Sequence, residues 1–112
     1  MYVIVWRFQA APGREEAFEQ AYGPGGDWAR FFGRSLDFRG TELLRAALEQ
    51  PEDAEQDTPS PSRDYFTIDR WDTLDAHVAF NERFASEYEE LDNQVLELCS
   101  SEVCLGKFVT VD

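Results

Sequence analysis

The segment at residues 64–80, DYFTIDRWDTLDAHVAF, constrains the fold more than any other part of the chain, because its hydrophobic period changes from strand to helix. Up to Trp71 the side chains alternate between two faces, which is typical of a strand. One face holds Tyr65, Thr67, Asp69 and Trp71, and the other holds Phe66, Ile68 and Arg70. After Asp72 and Thr73, either of which can cap a helix, the spacing becomes helical. The segment therefore predicts a strand that leads directly into a helix.

The predicted helix carries an arc of mostly apolar side chains. With residues placed about 100° apart, the arc contains Leu74, His77, Val78, Asn81, Phe84, Ala85 and Tyr88. The same stripe continues roughly to residue 99. A helix of that length is long for a domain of this size, so we expect a break near residues 85–88.

Similar patterns assign the rest of the chain. Alternating β-branched and aromatic residues predict a strand at 2–10, and Pro12 and Gly13 then turn the chain into a helix. Asp27 is expected to cap a second, short helix. The remaining predicted elements are a helix at 14–22, a short helix at 28–34, a strand at 41–48 and a final strand at 102–111. The main order is strand, helix, strand, strand, helix, strand.

This βαββαβ order predicts an α+β fold of the ferredoxin-like type, in which a four-stranded antiparallel sheet has its helices on one face. Because both faces of the strands are apolar, the face of the sheet that the helices leave uncovered should not be exposed to solvent. We expect a second copy of the chain to cover it, which gives a homodimeric α+β barrel with a cavity in each subunit. In this arrangement Phe66 and Ile68 lie under the helices, and Trp71 points to the cavity on the opposite face.

Length and charge limit the class of protein. The 112 residues fit one domain, 1–112, and 43% hydrophobic residues suffice for a core. A formal net charge of −13 disfavours nucleic acids and anionic membranes as partners. No segment has the pattern of a membrane span or a secretory signal, so we expect a soluble, cytoplasmic protein. Residues 49–63 contain three prolines and no large apolar residue, which predicts a flexible acidic loop.

The chain resembles the antibiotic biosynthesis monooxygenase family of dimeric α+β barrels over nearly its whole length. The opening strand with its Pro-Gly turn and the strand GTELLR at 40–45 carry part of the resemblance. At the strand-to-helix junction, the family pattern acid-x-Trp-x-Ser-x-acid is matched in kind by Asp69, Trp71, Thr73 and Asp75. The chain departs from the family at Phe80, where a histidine is usual, and at Thr67, where some members have an asparagine.

The resemblance implies oxidation of phenolic or anthrone-type substrates by O2 without metal or flavin in some members, and haem degradation in others. The leading hypothesis is therefore a monooxygenase without cofactor or metal that acts on a phenolic or polyketide-type aromatic substrate. Its candidate catalytic residues are Trp71, Thr67 and His77. Its candidate substrate-binding residues are Trp6, Tyr65, Asp69, Asn81 and Arg45. The tryptophans would form aromatic walls, the hydroxyl would stabilise developing charge, and the histidine would act as a base.

Two other functions remain open. The aromatic side chains can instead fill the barrel, which would leave a non-catalytic ligand-binding or structural module. The only histidine, His77, can also be an axial haem ligand, or a histidine whose hydrogen bonds are satisfied between helix and sheet. Cavity size separates these functions, because an anthrone-sized substrate needs about a few hundred Å³.

Overall fold

The computed structural model of the chain describes residues 1–47 and 62–111. Its sheet has four antiparallel strands in the order β2-β3-β1-β4. The strands are β1 (Tyr2–Ala10), β2 (Phe38–Arg45), β3 (Asp64–Trp71) and β4 (Cys99–Val109). The α-helices are α1 (Glu15–Tyr22), α2 (Asp27–Phe32), α3 (Leu74–Arg83) and α4 (Ala85–Val95), followed by a 3-10 turn at Leu96–Leu98. This arrangement confirms the predicted α+β, ferredoxin-like fold.

The helix boundaries follow local chemistry. Thr73 caps α3, because its side-chain oxygen accepts a hydrogen bond from the backbone nitrogen of Ala76 at 3.1 Å. The long predicted helix is broken at Phe84, which separates α3 from α4. Asp27 is not a cap, contrary to expectation: Gly26 occupies that position, and the Asp27 carboxylate pairs with Arg30 one turn later. The predicted loop at 49–63 lies outside the described residues except for its last two.

The helices cover the face of the sheet that carries the even-numbered side chains of β1 and the odd-numbered side chains of β3. We call this the inner face. Its buried members on these two strands are Tyr2, Ile4, Phe8, Ala10, Tyr65, Thr67 and Trp71. The prediction that Phe66 and Ile68 lie under the helices was therefore wrong, and Phe66 is 38% exposed. Both parities of β3 are apolar enough to be buried, and the larger rings of Tyr65 and Trp71 are the ones that pack against the helices.

Trp71 lies at the centre of this core and is fully buried. Its ring centroid is 5.1 Å from that of Phe38, 5.2 Å from His77 and 5.3 Å from Phe80. The expectation that Trp71 faces a cavity on the side of the sheet away from the helices was wrong, because the helices cover the face that carries Trp71. The contacts with Phe38 and His77 are edge-to-face, and contacts of this kind stabilise a core beyond the area they bury.

The opposite, outer face of the sheet has no helix over it among the described residues. Its apolar side chains are Val3, Val5, Leu44, Phe66, Ile68, Val103 and Phe108. Two ion pairs flank this patch, Arg7 with Asp64 at 3.9 Å and Arg70 with Glu42 at 3.2 Å. In the described ranges, no helix is long and apolar enough to cross a membrane.

Candidate functional site

A cavity of about 90 Å³ lies between the inner face of the sheet and helices α1, α2 and α4. Its walls are mainly aromatic, with a few polar side chains set among the rings. The lining residues are Trp6, Phe8, Tyr22, Trp28, Phe32, Thr41, Thr67, Asp69, Tyr88, Asp92 and Glu102. We call it the inner cavity.

The floor of the inner cavity is set by strand register. Trp6 of β1 is paired with Thr67 of β3, and Thr41 of β2 is paired with Asp69. Directly paired residues on neighbouring strands project to the same side of the sheet, so all four side chains face the helices. The two threonines and the aspartate are short, which leaves space above them.

Asp69 is the most perturbed carboxyl group of the cavity. Burial raises its pKa from 3.8 to about 6, while the hydrogen bond from Thr41 opposes the rise. In that bond the Thr41 hydroxyl donates to Asp69 Oδ1 at 2.6 Å. A carboxylate with a pKa near 6 is mostly ionised at neutral pH and is a stronger base than an ordinary aspartate.

Two more carboxylates, Asp92 of α4 and Glu102 of β4, line the cavity near the sheet edge. Glu102 is exposed, so the inner cavity reaches solvent there, and we call this end its mouth. Partial burial raises the pKa of Glu102, and the charge of Asp92 adds to the rise. Burial also raises the pKa of Tyr88, with further contributions from Asp92, Glu102 and Asp69. The mouth is therefore a region of negative potential.

Two buried rings bring hydrogen-bond donors to the cavity wall. The Nε1 atom of Trp28 is buried and has no hydrogen-bond partner among the described residues. Tyr22 lies 6.3 Å from Trp28 between ring centroids, and burial raises the pKa of its hydroxyl, so that it stays protonated. Buried N–H groups in folded proteins nearly always find an acceptor. The Trp28 indole lies close enough to the Tyr22 hydroxyl to lower its pKa, but no hydrogen bond of normal geometry joins them, so an acceptor on a bound ligand can take the N–H.

Of the eight site residues predicted from sequence, Trp6, Thr67 and Asp69 line the inner cavity. Trp71 lies in the core beside it and does not line it. Tyr65 is also buried in the core, and its hydroxyl donates to Glu19 Oε2 at 2.6 Å. The structure therefore brings together three of the eight and places the others elsewhere.

His77, Asn81 and Arg45 lie away from the cavity. His77 Nε2 is 3.1 Å from Asn81 Nδ2 one turn along α3, and the imidazole packs against the rings of Tyr2 and Trp71. Burial lowers the pKa of His77, and the charge of Lys107 lowers it further. Arg45 forms an ion pair with Glu19 at 3.2 Å. His77 has the environment expected of a histidine that packs between helix and sheet.

Eight lining residues were not predicted from sequence. They are Phe8, Tyr22, Trp28, Phe32, Thr41, Tyr88, Asp92 and Glu102. The signal for some of them was present: Tyr88 and Asp92 are four residues apart on one helix, and the register of β2 against β3 brings Thr41 beside Asp69. The helical rings could not be told from core residues by their spacing alone.

The size of the inner cavity limits what it holds. Its volume of about 90 Å³ is well below the roughly 300–1,000 Å³ of sites for drug-sized ligands. Neither an anthrone-sized ring system nor a haem fits in it. Within the ranges 1–47 and 62–111, no three His, Cys, Asp or Glu residues are placed to hold a metal ion.

Solved structures of antibiotic biosynthesis monooxygenases share this fold over nearly the whole chain. A variant of SnoaB, a cofactor-independent oxygenase from Streptomyces nogalater, matches with a TM-score of 0.68 at 20% identity, covering 99% of this chain and 93% of its own. A candidate antibiotic biosynthesis monooxygenase from Deinococcus radiodurans matches with a TM-score of 0.69 at 9% identity, covering 100% and 94%. A third, from Bordetella bronchiseptica, matches at 0.66 and 20% identity, covering 98% and 96%.

No protein-family model and no curated protein sequence matches the chain. The matches to solved structures confirm, at the level of the fold, the resemblance drawn from the sequence.

Proposed function

We propose that the chain is a cofactor-independent monooxygenase that oxidises a small phenolic substrate with O2 in the inner cavity. The observation that carries the proposal is Asp69, a carboxylate with a pKa of about 6 in a mainly aromatic cavity that reaches solvent at one end. A general base works best when its pKa lies near the operating pH. The shared fold with SnoaB, itself a cofactor-independent oxygenase, supports the same class of reaction.

The cavity volume points to a substrate with one aromatic ring. A cavity of roughly 150 Å³ lined by apolar side chains binds benzene, whereas the inner cavity holds about 90 Å³. A single ring therefore enters only if part of the substrate remains at the mouth or the walls move slightly outward. Fused ring systems need far more room. This is narrower than the polyketide-type substrate that the family resemblance implies.

The proposed reaction converts a phenol with a hydrogen at the para carbon into a quinone, with one O2 consumed and one water formed. Asp69 takes the hydroxyl proton, and the phenolate transfers one electron to O2. The resulting radical pair joins through a new carbon–oxygen bond, and the peroxide receives the proton back from Asp69. Loss of the ring proton to Asp69 then breaks the oxygen–oxygen bond, forms the second carbonyl and releases hydroxide, which Asp69 protonates to water. Dry, rigid surroundings favour such charge transfer.

The remaining roles follow from position. The Thr67 hydroxyl and the free Trp28 N–H are donors for the phenolate oxygen, and the ring of Trp6 is a wall. Trp71 and His77 do not line the cavity, so we assign the proton transfer to Asp69 and treat Trp71 and His77 as residues that support the wall.

The test is oxygen uptake with a panel of single-ring phenols that have a hydrogen at the para carbon, with the quinone product and H2O2 measured in the same samples. We expect one quinone per O2 and no H2O2 above the blank. Replacing Asp69 by asparagine removes the base and should lower the rate by about 10²-fold or more. Asp75→Asn is the matched control, since Asp75 is exposed on α3 and does not line the cavity.

Equal rates for wild type and Asp69→Asn would sink the assignment of Asp69, and no uptake with any member of the panel would sink the oxygenase proposal. In the second case the small cavity favours the other candidate, a non-catalytic module that binds a small aromatic ligand. Binding of the same phenols under anaerobic conditions, without any oxidation in air, would identify that module.

We also propose that the chain forms a homodimer through the outer face of the sheet. The apolar patch there, flanked by the ion pairs of Arg7 and Arg70, is of the kind that monomeric proteins seldom expose. Val5 and Ile68 are direct cross-strand partners in the middle of this face. A second copy that packs on the patch buries it on both subunits about a two-fold axis.

Sedimentation equilibrium tests this assembly. We expect a dimer for wild type and a monomer for Val5→Asp with Ile68→Asp, because each substitution places a charge in the buried interface. Leu36→Asp is the control, since Leu36 is 91% exposed and lies outside the sheet. A wild-type monomer at micromolar concentration would refute the proposal.

A further inference from the structure

The acidic groups of the inner cavity have no cationic partner in the described part of the chain. Asp69, Asp92 and Glu102 line the cavity, and no lysine, arginine or histidine does. None of the three takes part in the ion pairs found among the described residues. The whole chain carries a formal charge of −13, which strengthens the negative potential at the mouth. An anionic ligand is thus repelled, and a cation is attracted.

The acids stand at a passage between two spaces. A second cavity of about 170 Å³ adjoins the mouth and shares Tyr22, Asp92 and Glu102 with the inner cavity. A ligand that enters with its ring in the inner cavity therefore carries its other end past Asp92 and Glu102. A positive group at that end lies between the two carboxylates.

The wall of the inner cavity offers a different kind of partner, and its β3 side lies two strands away from Glu102 on β4. Trp28 is 92% buried, since its exposed fraction is 8%, and its Nε1 has no acceptor in the ranges that the structure describes. Thr67, 4% exposed, also lines the cavity. Both groups can donate a hydrogen bond, so an oxygen atom of the ligand would be a suitable acceptor for them. The wall also includes the rings of Trp6 and Tyr88, which bind an aromatic ring or a cation over their faces.

A metal ion does not account for the acids. In the described residues no three of the side chains that ligate metals lie close enough to share one ion. Separated carboxylates along an aromatic passage suit an extended organic cation, whose charge contacts them in turn. Aromatic walls with nearby acids are a known solution for ammonium ligands.

We propose that the ligand of the inner cavity is a cationic aromatic compound: a single ring that carries a hydroxyl on the Thr67 side and a protonated amine at the mouth. The assignment rests on the proposed function for what happens to the ring, but its binding is independent of any reaction. It narrows the substrate class from phenols in general to aminoalkyl phenols.

The test compares three probes of similar size under anaerobic conditions by calorimetry at pH 7.5. They are 3-(2-aminoethyl)phenol, which is cationic, 3-ethylphenol, which is neutral, and 3-(3-hydroxyphenyl)propanoate, which is anionic. All three keep the hydrogen at the para carbon that the proposed reaction requires. We expect the cation to bind at least tenfold more tightly than the neutral phenol, and the anion to bind least. The preference should shrink as salt is added, because the mouth is partly exposed to solvent.

Asp92→Asn with Glu102→Gln should remove the preference for the cation and leave the affinity for 3-ethylphenol within about twofold of wild type. That unchanged affinity also shows that the variant is folded. Glu97→Gln, an exposed position outside both cavities, is the control and should keep the preference. If the double variant does not fold, each single substitution should reduce the preference, and the salt dependence of wild type tests the same point.

Equal affinity of wild type for the cationic and neutral probes overturns the inference, as does failure of the cation to bind. The outcome is separable from the proposed function. Preferential binding of the cation without oxygen uptake supports the inference and refutes the oxygenase, whereas oxidation of 3-ethylphenol with no preference for the cation supports the oxygenase and refutes the inference.

Discussion

Replacing Asp69 by asparagine should change how the stability of the chain depends on pH. Burial raises the pKa of the folded-state carboxyl group from 3.8 to about 6. The folded chain therefore holds this proton more tightly than the unfolded chain does. Stability from this group is present below pH 4 and is lost as the pH rises through 6, because ionisation then favours the unfolded state.

The size of the effect follows from the difference in pKa. One pKa unit corresponds to about 1.4 kcal/mol, so the full change is about 3 kcal/mol for Asp69. About half of it, roughly 1.4 kcal/mol, falls between pH 5 and pH 8. That interval also avoids the pI near 4.3, where the protein has least net charge. Asparagine keeps the shape and can still accept from Thr41, so the variant lacks the ionisation and little else.

The measurement is the free energy of unfolding in urea at pH 5, 6, 7 and 8, at one fixed protein concentration because a dimer would make stability concentration-dependent. We expect the difference in unfolding free energy between Asp69→Asn and wild type to shift by about 1.4 kcal/mol in favour of the variant from pH 5 to pH 8. Asp75→Asn should differ from wild type by a few tenths of a kcal/mol at every pH. A constant difference between wild type and Asp69→Asn would show that the Asp69 pKa is not raised, and would remove the argument for Asp69 as the base.

Three further predictions concern the packing around the site. Trp71→Ala should cost about 3–5 kcal/mol of unfolding free energy, because Trp71 is fully buried. Leu36→Ala is the control and should change the unfolding free energy by less than about 0.5 kcal/mol. A cost near zero for Trp71→Ala would contradict the place of Trp71 in the core. Tyr65→Phe should cost about 1.5 kcal/mol of unfolding free energy through the lost hydrogen bond to Glu19. A double-mutant cycle with Glu19→Gln should show coupling between the two substitutions. Strictly additive effects of the two substitutions would argue against the hydrogen bond. Thr73→Ala should cost about 1 kcal/mol by removing the cap of α3, measured by thermal unfolding against Thr73→Ser, which keeps the hydroxyl and should be nearly neutral.

Much of the fold could be predicted because its signals are local. The change of period at Trp71 marks the end of β3, and the capping hydroxyl of Thr73 marks the start of α3. The break at Phe84 follows from the length of the predicted helix, although its position is not evident from the pattern. Each of these depends on residues near in sequence, and local propensity and spacing describe such features well.

The orientation of the sheet could not be predicted in the same way. Phe66 and Ile68 form a cleaner apolar pair than Thr67 and Asp69, so patterning alone placed them under the helices. Which face of a strand the helices cover is decided by the whole sheet. The apolar character of the outer face has a separate cause, which we propose is a second copy of the chain. A strand with two buried faces gives no internal sign of which partner lies on which side.

The inner face of β3 explains why a cavity forms at this place. Its four side chains run large, small, small, large: Tyr65, Thr67, Asp69 and Trp71. The two large rings are buried in contact with the helices, whereas the two short polar groups cannot reach across to Trp28. The gap is lined by a carboxylate and a hydroxyl, and burial raises the pKa of the carboxylate. Trp71 thus packs in the core beside the cavity, and the proposed chemistry is assigned to the shorter residues that precede it.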